Sequence, residues 1–258
     1  MNLDFKGTNI HYTDSGKGSA LVLLHGFLES TQIWKQLQPE LSKKFRVICI
    51  DLLGHGQTGC LGYVHTMEQM AEAVEAVLKH LRIRRSTIIG HSMGGYVALA
   101  FAEKKPDDLK GLCLLNSTAS ADSAERKINR ERTIEVVKKN HETFIKIAVT
   151  NLFRPKNRIV FKERIKELIA SAQKTPLQGI VAALEGMKIR DDREALLHFT
   201  PFKKMIIAGK KDPVLDYNTI LEQVEGTQVK LVTFPDGHMS FIENESELLH
   251  EIMHFVEK

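Results

Sequence analysis

The chain is poor in several things, and each scarcity excludes a class of protein. Only three of its 258 residues are cysteine. Cys49, Cys60 and Cys113 are odd in number, far apart and without a CxxC pair. That excludes a disulfide-stapled scaffold and leads to the expectation of a reduced, cytoplasmic setting. Long apolar runs are missing too. Stretches such as Ala20–Leu24 and Leu112–Leu115 fall far short of the roughly 20 residues a membrane span needs, so no membrane partner is expected. Met1–Ile10 carries Asp4 and no apolar block, so no signal peptide is expected. Nor is there a large excess of either charge. Lys and Arg number 36 against 32 Asp and Glu, a net +4, too mild to argue for nucleic acid.

What the chain does have is an ordinary globular balance, 43% hydrophobic and 26% charged. At this length about three quarters of the unfolded surface is buried on folding, so a core forms without staples. The charge is unevenly spread. Residues 118–200 hold 17 Lys and Arg against 11 Asp and Glu, more than the whole net excess. This segment reads either as a solvated helical surface or as a basic lid that draws in an anionic substrate.

Strand and helix signals alternate over the first 117 residues. Asn2–Phe5 and Asn9–Thr13 form an expected hairpin, and apolar strands follow at Ala20–Leu24, Arg46–Ile50, Thr87–Ile89 and Leu112–Leu115. Met67, Met70, Ala71, Val74, Val77, Leu78 and Leu81 make one continuous helical stripe. Trp34, Leu37 and Leu41 mark another helix, with Pro39 an irregularity in it. From 118 to 200 only helical stripes appear: Ile134, Val137, Phe144, Ala148; then Phe161, Ile165, Leu168, Ala172; then Leu177, Ile180, Val181, Leu184. Strands resume at Lys204–Ala208 and Val229–Phe234, and a helix at Glu247–Val256 closes the chain. The expected architecture is α/β: a mainly parallel eight-stranded sheet with flanking helices, built from residues 1–117 and 201–258, with a helical cap at 118–200 inserted between them.

The strongest local signal is Gly90-His91-Ser92-Met93-Gly94, a G-x-S-x-G set between a strand and the apolar helix Tyr96–Ala102. Such a sharp turn strains the central residue, lifts its hydroxyl clear of the sheet and leaves the Met93 N–H free for a developing oxyanion. A serine hydroxyl needs a base, and the base needs a carboxylate. Asp212 and His238 supply both, each just past a strand and therefore on the same sheet edge as Ser92. Asp216 is the rival acid, but its position suits a helix start. A second oxyanion donor is expected from the Phe27 N–H, in the loop after Ala20–Leu24. Leu28 and Met239 are expected to line the substrate pocket.

Two further matches are read as incidental. His250-Glu251-Ile252-Met253-His254 fits H-E-x-x-H, but only four residues follow and the helix stripe faces a core, so no metal is expected. Gly54–Gly59 fits G-x-G-x-x-G but opens no helix, so no nucleotide cofactor is expected, nor any other.

Leu24-His25-Gly26-Phe27, Asp51–Thr58, Gly90–Gly95, Gly209–Asp212 and Gly237-His238 together resemble the α/β-hydrolase superfamily, in its group of helical-cap, esterase-like serine hydrolases. The resemblance spans nearly the whole chain. It implies Ser92, Asp212 and His238 as nucleophile, acid and base, and the Phe27 and Met93 amides as oxyanion hole. Members that open epoxides or carbon–halogen bonds carry Asp where Ser92 stands. The menaquinone-pathway lyases carry Arg where Tyr96 stands. Some relatives place the acid one strand earlier, where this chain has Asn116-Ser117. The implied activity is hydrolysis of a small carboxylic ester or related acyl compound. Carbon–carbon bond hydrolysis or lysis of a small anionic substrate by the same triad is the alternative, and a non-enzymatic ligand receptor on this fold is a third. The expected partner is a small-molecule substrate. Its identity and the oligomeric state stay open.

Overall fold

The computed structural model describes residues 1–257. Eight strands, β1 (Asn2–Phe5), β2 (Thr8–Ser15), β3 (Ala20–Leu24), β4 (Arg46–Ile50), β5 (Ser86–His91), β6 (Leu109–Leu115), β7 (Lys203–Gly209) and β8 (Lys230–Phe234), form one sheet in the order β1-β2-β4-β3-β5-β6-β7-β8. β1 (Asn2–Phe5) and β2 (Thr8–Ser15) pair antiparallel around Lys6-Gly7, whose φ angles of 53° and 81° suit a tight hairpin turn. β2 joins β4 (Arg46–Ile50) antiparallel, and all later pairings are parallel. β3 (Ala20–Leu24) lies between β4 and β5 (Ser86–His91). The chain therefore winds one way from β3 and then crosses back to wind the other way from β5. That reversal opens a crevice beyond the carboxyl ends of β3 and β5, the place where open α/β sheets bind ligands.

Both faces of the sheet are covered. Val22, Leu24, Ile48 and Ile88 point into one apolar layer with α2 (Met67–His80) and α3 (Met93–Lys104). Leu21, Leu23, Cys49 and Ile89 point into the other, with Trp34, α1 (Leu37–Leu41) and the C-terminal helix. Burial on both faces is why these strands read as unbroken apolar runs. Pro39 does not interrupt a long helix. The segment is a 3-10 turn, Thr31–Trp34, followed by α1, and Pro39 sits in the first turn of α1, where its missing N–H costs no bond.

After β6 (Leu109–Leu115) come five helices before the sheet resumes: α4 (Ala124–Asn151), α5 (Asn157–Val160), α6 (Lys162–Ala172), α7 (Leu177–Lys188) and α8 (Ala195–Phe199). α4 is kinked at Asn140, with φ −157° and ψ 81°. The kink resets its buried face. Ile134 and Val137 are buried as their spacing predicts, but beyond the kink Ile145 and Val149 take the deepest places instead of Phe144 and Ala148. α7 docks on the loop after β4 through a glycine contact. A Cβ on Gly179 would stand 2.2 Å from the Gly54 carbonyl oxygen, so only glycine lets the helix approach. No described helix is long and apolar enough to cross a membrane.

β7 (Lys203–Gly209), α9 (Tyr217–Val224), β8 (Lys230–Phe234), α10 (Ser240–Glu243) and α11 (Glu245–Glu257) complete the fold. His250 and His254 lie on α11, whose Leu248, Ile252 and Phe255 are buried. Among the described residues no three His, Cys, Asp or Glu side chains are grouped to hold a metal ion. Gly54 to Gly59 form a closed loop, the Gly54 N–H donating to the Gly59 carbonyl at 3.0 Å, and α2 begins only at Met67.

Candidate active site

Ser92 stands between β5 and α3 with φ 49° and ψ −116°, strained for a residue with a side chain. The bend is tight enough that a Cβ on Gly94 would sit 2.5 Å from the Leu24 carbonyl oxygen. The Ser117 hydroxyl donates to the Ser92 carbonyl at 2.7 Å and helps to pin the bend. Ser92 heads α3, and the Met93 N–H, the first amide of that helix, has no acceptor among the described residues. Nor does the Phe27 N–H, across the crevice in the loop after β3.

Asp212 follows β7 and His238 follows β8. His238 Nδ1 and Asp212 Oδ2 are 2.8 Å apart, both side chains almost wholly buried. Asp212 Oδ1 accepts the N–H groups of Val214 and Leu215 at 2.8 and 3.1 Å, and Oδ2 also accepts from Asn116 Nδ2 at 3.2 Å. Burial alone would raise the Asp212 carboxyl, but His238 and the two amides outweigh it and hold the group below the usual aspartate value. Asp216 does what its position suggested: it caps α9, accepting the Asn218 N–H at 2.9 Å.

The loop that carries His238 is tied to its surroundings at several points. The His238 N–H donates to the Leu152 carbonyl at 3.1 Å. The Glu243 carboxylate accepts the Gly237 and Met239 N–H groups at 3.1 and 3.2 Å. Met239 itself does not line the pocket. α10 begins at the next residue, and the Met239 side chain is buried in the apolar layer on the α11 side of the sheet. Leu28, with φ 62°, does line the cavity, beside Phe27, Ser92 and His238. That cavity has a volume of about 120 Å³. Tyr96 of α3, Ala148, Val149 and Leu152 of the α4 segment, Met187 of α7 and Val214 complete its apolar wall, and Arg126 and Arg130 of α4 make it partly charged.

One further feature, a buried strut behind the serine, carries no signal in the sequence. Glu29 Oε2 accepts the Gly26 N–H at 2.5 Å and lies 2.9 Å from His91 Nδ1. His91 Nε2 lies 3.0 Å from the His238 carbonyl oxygen, which can only accept. His91 thus donates from both nitrogens, as an imidazolium does. Burial would lower the His91 value, but the Glu29 carboxylate beside it outweighs this and raises it; burial raises Glu29, and His91 outweighs that and lowers it. His25 is held differently. Its Nδ1 faces the Gly26 carbonyl at 2.8 Å while its Nε2 accepts the Leu52 N–H at 2.9 Å, and burial lowers its value, so it stays neutral. The Glu29–His91 pair joins the Phe27 loop, the serine turn and the His238 loop in one line.

This pair predicts a pH signature. The lowered glutamate contributes stability above its ordinary 4.5, lost as pH falls through its folded value; the raised histidine contributes below its ordinary 6.5, lost as pH rises through its folded value. Wild type should therefore exceed Glu29→Gln in unfolding free energy most between pH 4.5 and 6.5, with the gap narrowing on both sides. Breaking a buried pair from one side costs about 3–5 kcal/mol. Urea melts of both proteins from pH 4 to 9 measure the gap, and a gap that does not change with pH rules out an ionised pair.

Residues 19–245 match the family model described as alpha/beta hydrolase fold. The chain belongs to that family. A thermophilic esterase from Thermogutta terrifontis, solved with malate bound, is 30% identical with a TM-score of 0.92, the match covering 99% of this chain and 96% of that one. A dihydrolipoyllysine-residue acetyltransferase component of an acetoin cleaving system from Pseudomonas putida is 26% identical over 250 residues, 93% of this chain and 64% of that protein. A soluble epoxide hydrolase from Corynebacterium is 36% identical over 110 residues, 43% of this chain and 38% of that protein. In both of these curated relatives the match spans less than two thirds of the relative's own length. In this member of the family, the crevice at the β3–β5 reversal brings a strained serine, His238 and Phe27 to one small cavity, with Asp212 on the far nitrogen of His238 and Met93 next to the serine in the chain.

Proposed function

We propose that this alpha/beta hydrolase is a serine carboxylesterase for small acyl substrates. The observation that carries the reading is the shared cavity: Ser92 and His238 both line it, and Asp212 holds the far nitrogen of His238 at 2.8 Å. In this mechanism Ser92 Oγ attacks the ester carbonyl as His238 Nε2 takes its proton. The Phe27 and Met93 N–H groups hold the oxyanion. His238 returns the proton to the leaving alkoxide, and an acyl-enzyme remains on Ser92. Water, deprotonated by His238, attacks that acyl group and releases the acid. Asp212 stays ionised throughout and fixes the imidazole tautomer. No metal or cofactor enters these steps. The likeness to the Thermogutta esterase over nearly the full chain supports the ester reading. Epoxide opening is not carried over from the Corynebacterium relative, because Ser92 stands where members with that chemistry carry Asp.

Cavity size sets the acyl preference. About 120 Å³ is small against the roughly 300–1,000 Å³ of common ligand sites. Each methylene that fits adds about 0.8 kcal/mol of binding. One that does not fit displaces packed side chains at about 1–3 kcal/mol. Misfit therefore wins once the chain outgrows the space. Across p-nitrophenyl esters from acetate to palmitate, kcat/KM should peak at acetate, butyrate or hexanoate. A peak at twelve carbons or more contradicts the small pocket. If no ester turns over while a fluorophosphonate still labels Ser92, carbon–carbon bond hydrolysis becomes the better reading.

A further inference from the structure

The cavity that Ser92 lines carries more positive charge than the protein itself neutralises. Asp122 lies just before α4, its side chain wholly buried. Arg130 Nε contacts its Oδ2, and Arg130 Nη2 lies 3.3 Å from Oδ1. Arg190 Nη1 reaches Oδ1 at 2.5 Å, and Arg126 Nε stands 3.5 Å from the same oxygen. One carboxylate thus anchors three guanidinium groups. Burial would raise Asp122, but Arg130 and Arg190 outweigh it and keep the carboxyl low and ionised.

Of the three cations, Arg190 does not line the cavity, and its terminal nitrogens are engaged within the protein, although its buried Nε has no acceptor among the described residues. It is buried, donates also to the Met187 and Ser120 carbonyls at 3.1 and 2.9 Å, and stacks 4.0 Å over the Tyr96 ring. Arg126 and Arg130 are the two that line the cavity with Ser92. Both terminal nitrogens of Arg126 and Nη1 of Arg130 have no acceptor among the described residues. Glu29 is the one carboxylate among the residues lining the cavity, and its partners are His91 and Gly26. The Arg130 side chain is only 15% exposed and that of Arg126 37%, so water screens them incompletely. The two sit at i and i+4 on α4 and present their donors to the same space. Planar guanidinium donors held in place by an anchor are suited to bidentate recognition of a carboxylate.

We propose that Arg126 and Arg130 form a subsite for a carboxylate on the substrate, so that the preferred substrates are short half-esters of dicarboxylic acids. The proposal rests on the ester-hydrolase reading for its chemistry. The small cavity keeps the carboxylate within a few carbons of the bond attacked at Ser92.

The test compares monomethyl succinate with methyl butyrate, which differ by a carboxylate in place of a terminal methyl. Wild type should favour the half-ester in kcat/KM by at least about tenfold, and more at low ionic strength. Arg126→Gln leaves Asp122 paired to Arg130 and Arg190. It should cut the half-ester to neutral-ester ratio by about 10–100-fold, the range for a lost hydrogen bond between charged groups. A wild-type preference for methyl butyrate, or a ratio unmoved in Arg126→Gln, overturns the subsite. Calorimetry of succinate binding to Ser92→Ala separates the two readings. Binding that weakens at least tenfold on adding Arg126→Gln or Arg130→Lys supports the subsite even if no ester is turned over. Absent succinate binding beside intact ester turnover overturns the subsite and leaves the ester reading standing.

Discussion

Ser92→Ala is expected to lower kcat for any accepted ester by on the order of 10⁶ while the protein still folds. The size follows from what the hydroxyl does. With the oxygen gone no acyl-enzyme forms, and the amides of Phe27 and Met93 and the base His238 are left to act on water alone. Residual rates of about 10³–10⁴ over the uncatalysed reaction are what oxyanion stabilisation and binding supply unaided. The fold should not suffer. The turn is shaped by Gly94 against the Leu24 carbonyl and by the Ser117 hydroxyl on the residue-92 carbonyl, and neither contact uses the Ser92 side chain. The Ser92 hydroxyl bonds to no described residue, so its removal leaves no buried partner unsatisfied. Two measurements check this: single-turnover rates on the best p-nitrophenyl ester, and labelling by a fluorophosphonate, which should vanish. Retention of a tenth of the wild-type rate, or persistent labelling, removes Ser92 from the nucleophile role.

Much of this candidate site is legible in the sequence, for a topological reason. Ser92, Asp212 and His238 each follow a strand of a parallel sheet, and parallel strands deliver their carboxyl ends to one edge. Strand periodicity alone therefore brings the three together. Met239 shows where that reasoning stops. A residue beside a site residue in sequence need not share its cavity, and here α10 starts at once and turns the methionine into the opposite layer. Glu29 and His91 were illegible because neither has a sequence spacing to the other; they meet only through the β3–β5 pairing. Arg126 and Arg130 were visible only as part of a basic segment. Which face of α4 meets the cavity depends on docking against α7 and on the Asn140 kink, and one-dimensional periodicity carries neither. Asn116 is no acid and carries no sequence signal, yet its side-chain amide donates to Asp212 Oδ2 at 3.2 Å.

Asp212→Asn should cost about 10⁴ in kcat, whereas Asp216→Asn should change it little. The two residues are four apart and both are aspartates in one loop, so the contrast isolates geometry from charge. Asp212 accepts everything it touches: Val214 and Leu215 N–H on one oxygen, His238 Nδ1 and Asn116 Nδ2 on the other. An asparagine there has one acceptor atom. If its oxygen keeps the two backbone amides, its NH₂ faces His238 Nδ1 and Asn116. His238 must then accept at Nδ1 and carry its proton on Nε2, the nitrogen that has to receive the serine proton. If the amide is turned round, the two backbone N–H groups meet a donor, and the loop that carries residue 212 is strained. Either way the base is lost or misplaced. Asp216 acts only as a helix cap, accepting the Asn218 N–H, and asparagine caps helices about as well as aspartate. Steady-state kinetics on the two purified variants, with matched melting curves, decides the point. If Asp216→Asn proves the more damaging of the two, the acid has been placed on the wrong aspartate. If Asp212→Asn keeps most of its activity, His238 does not depend on a carboxylate for its tautomer.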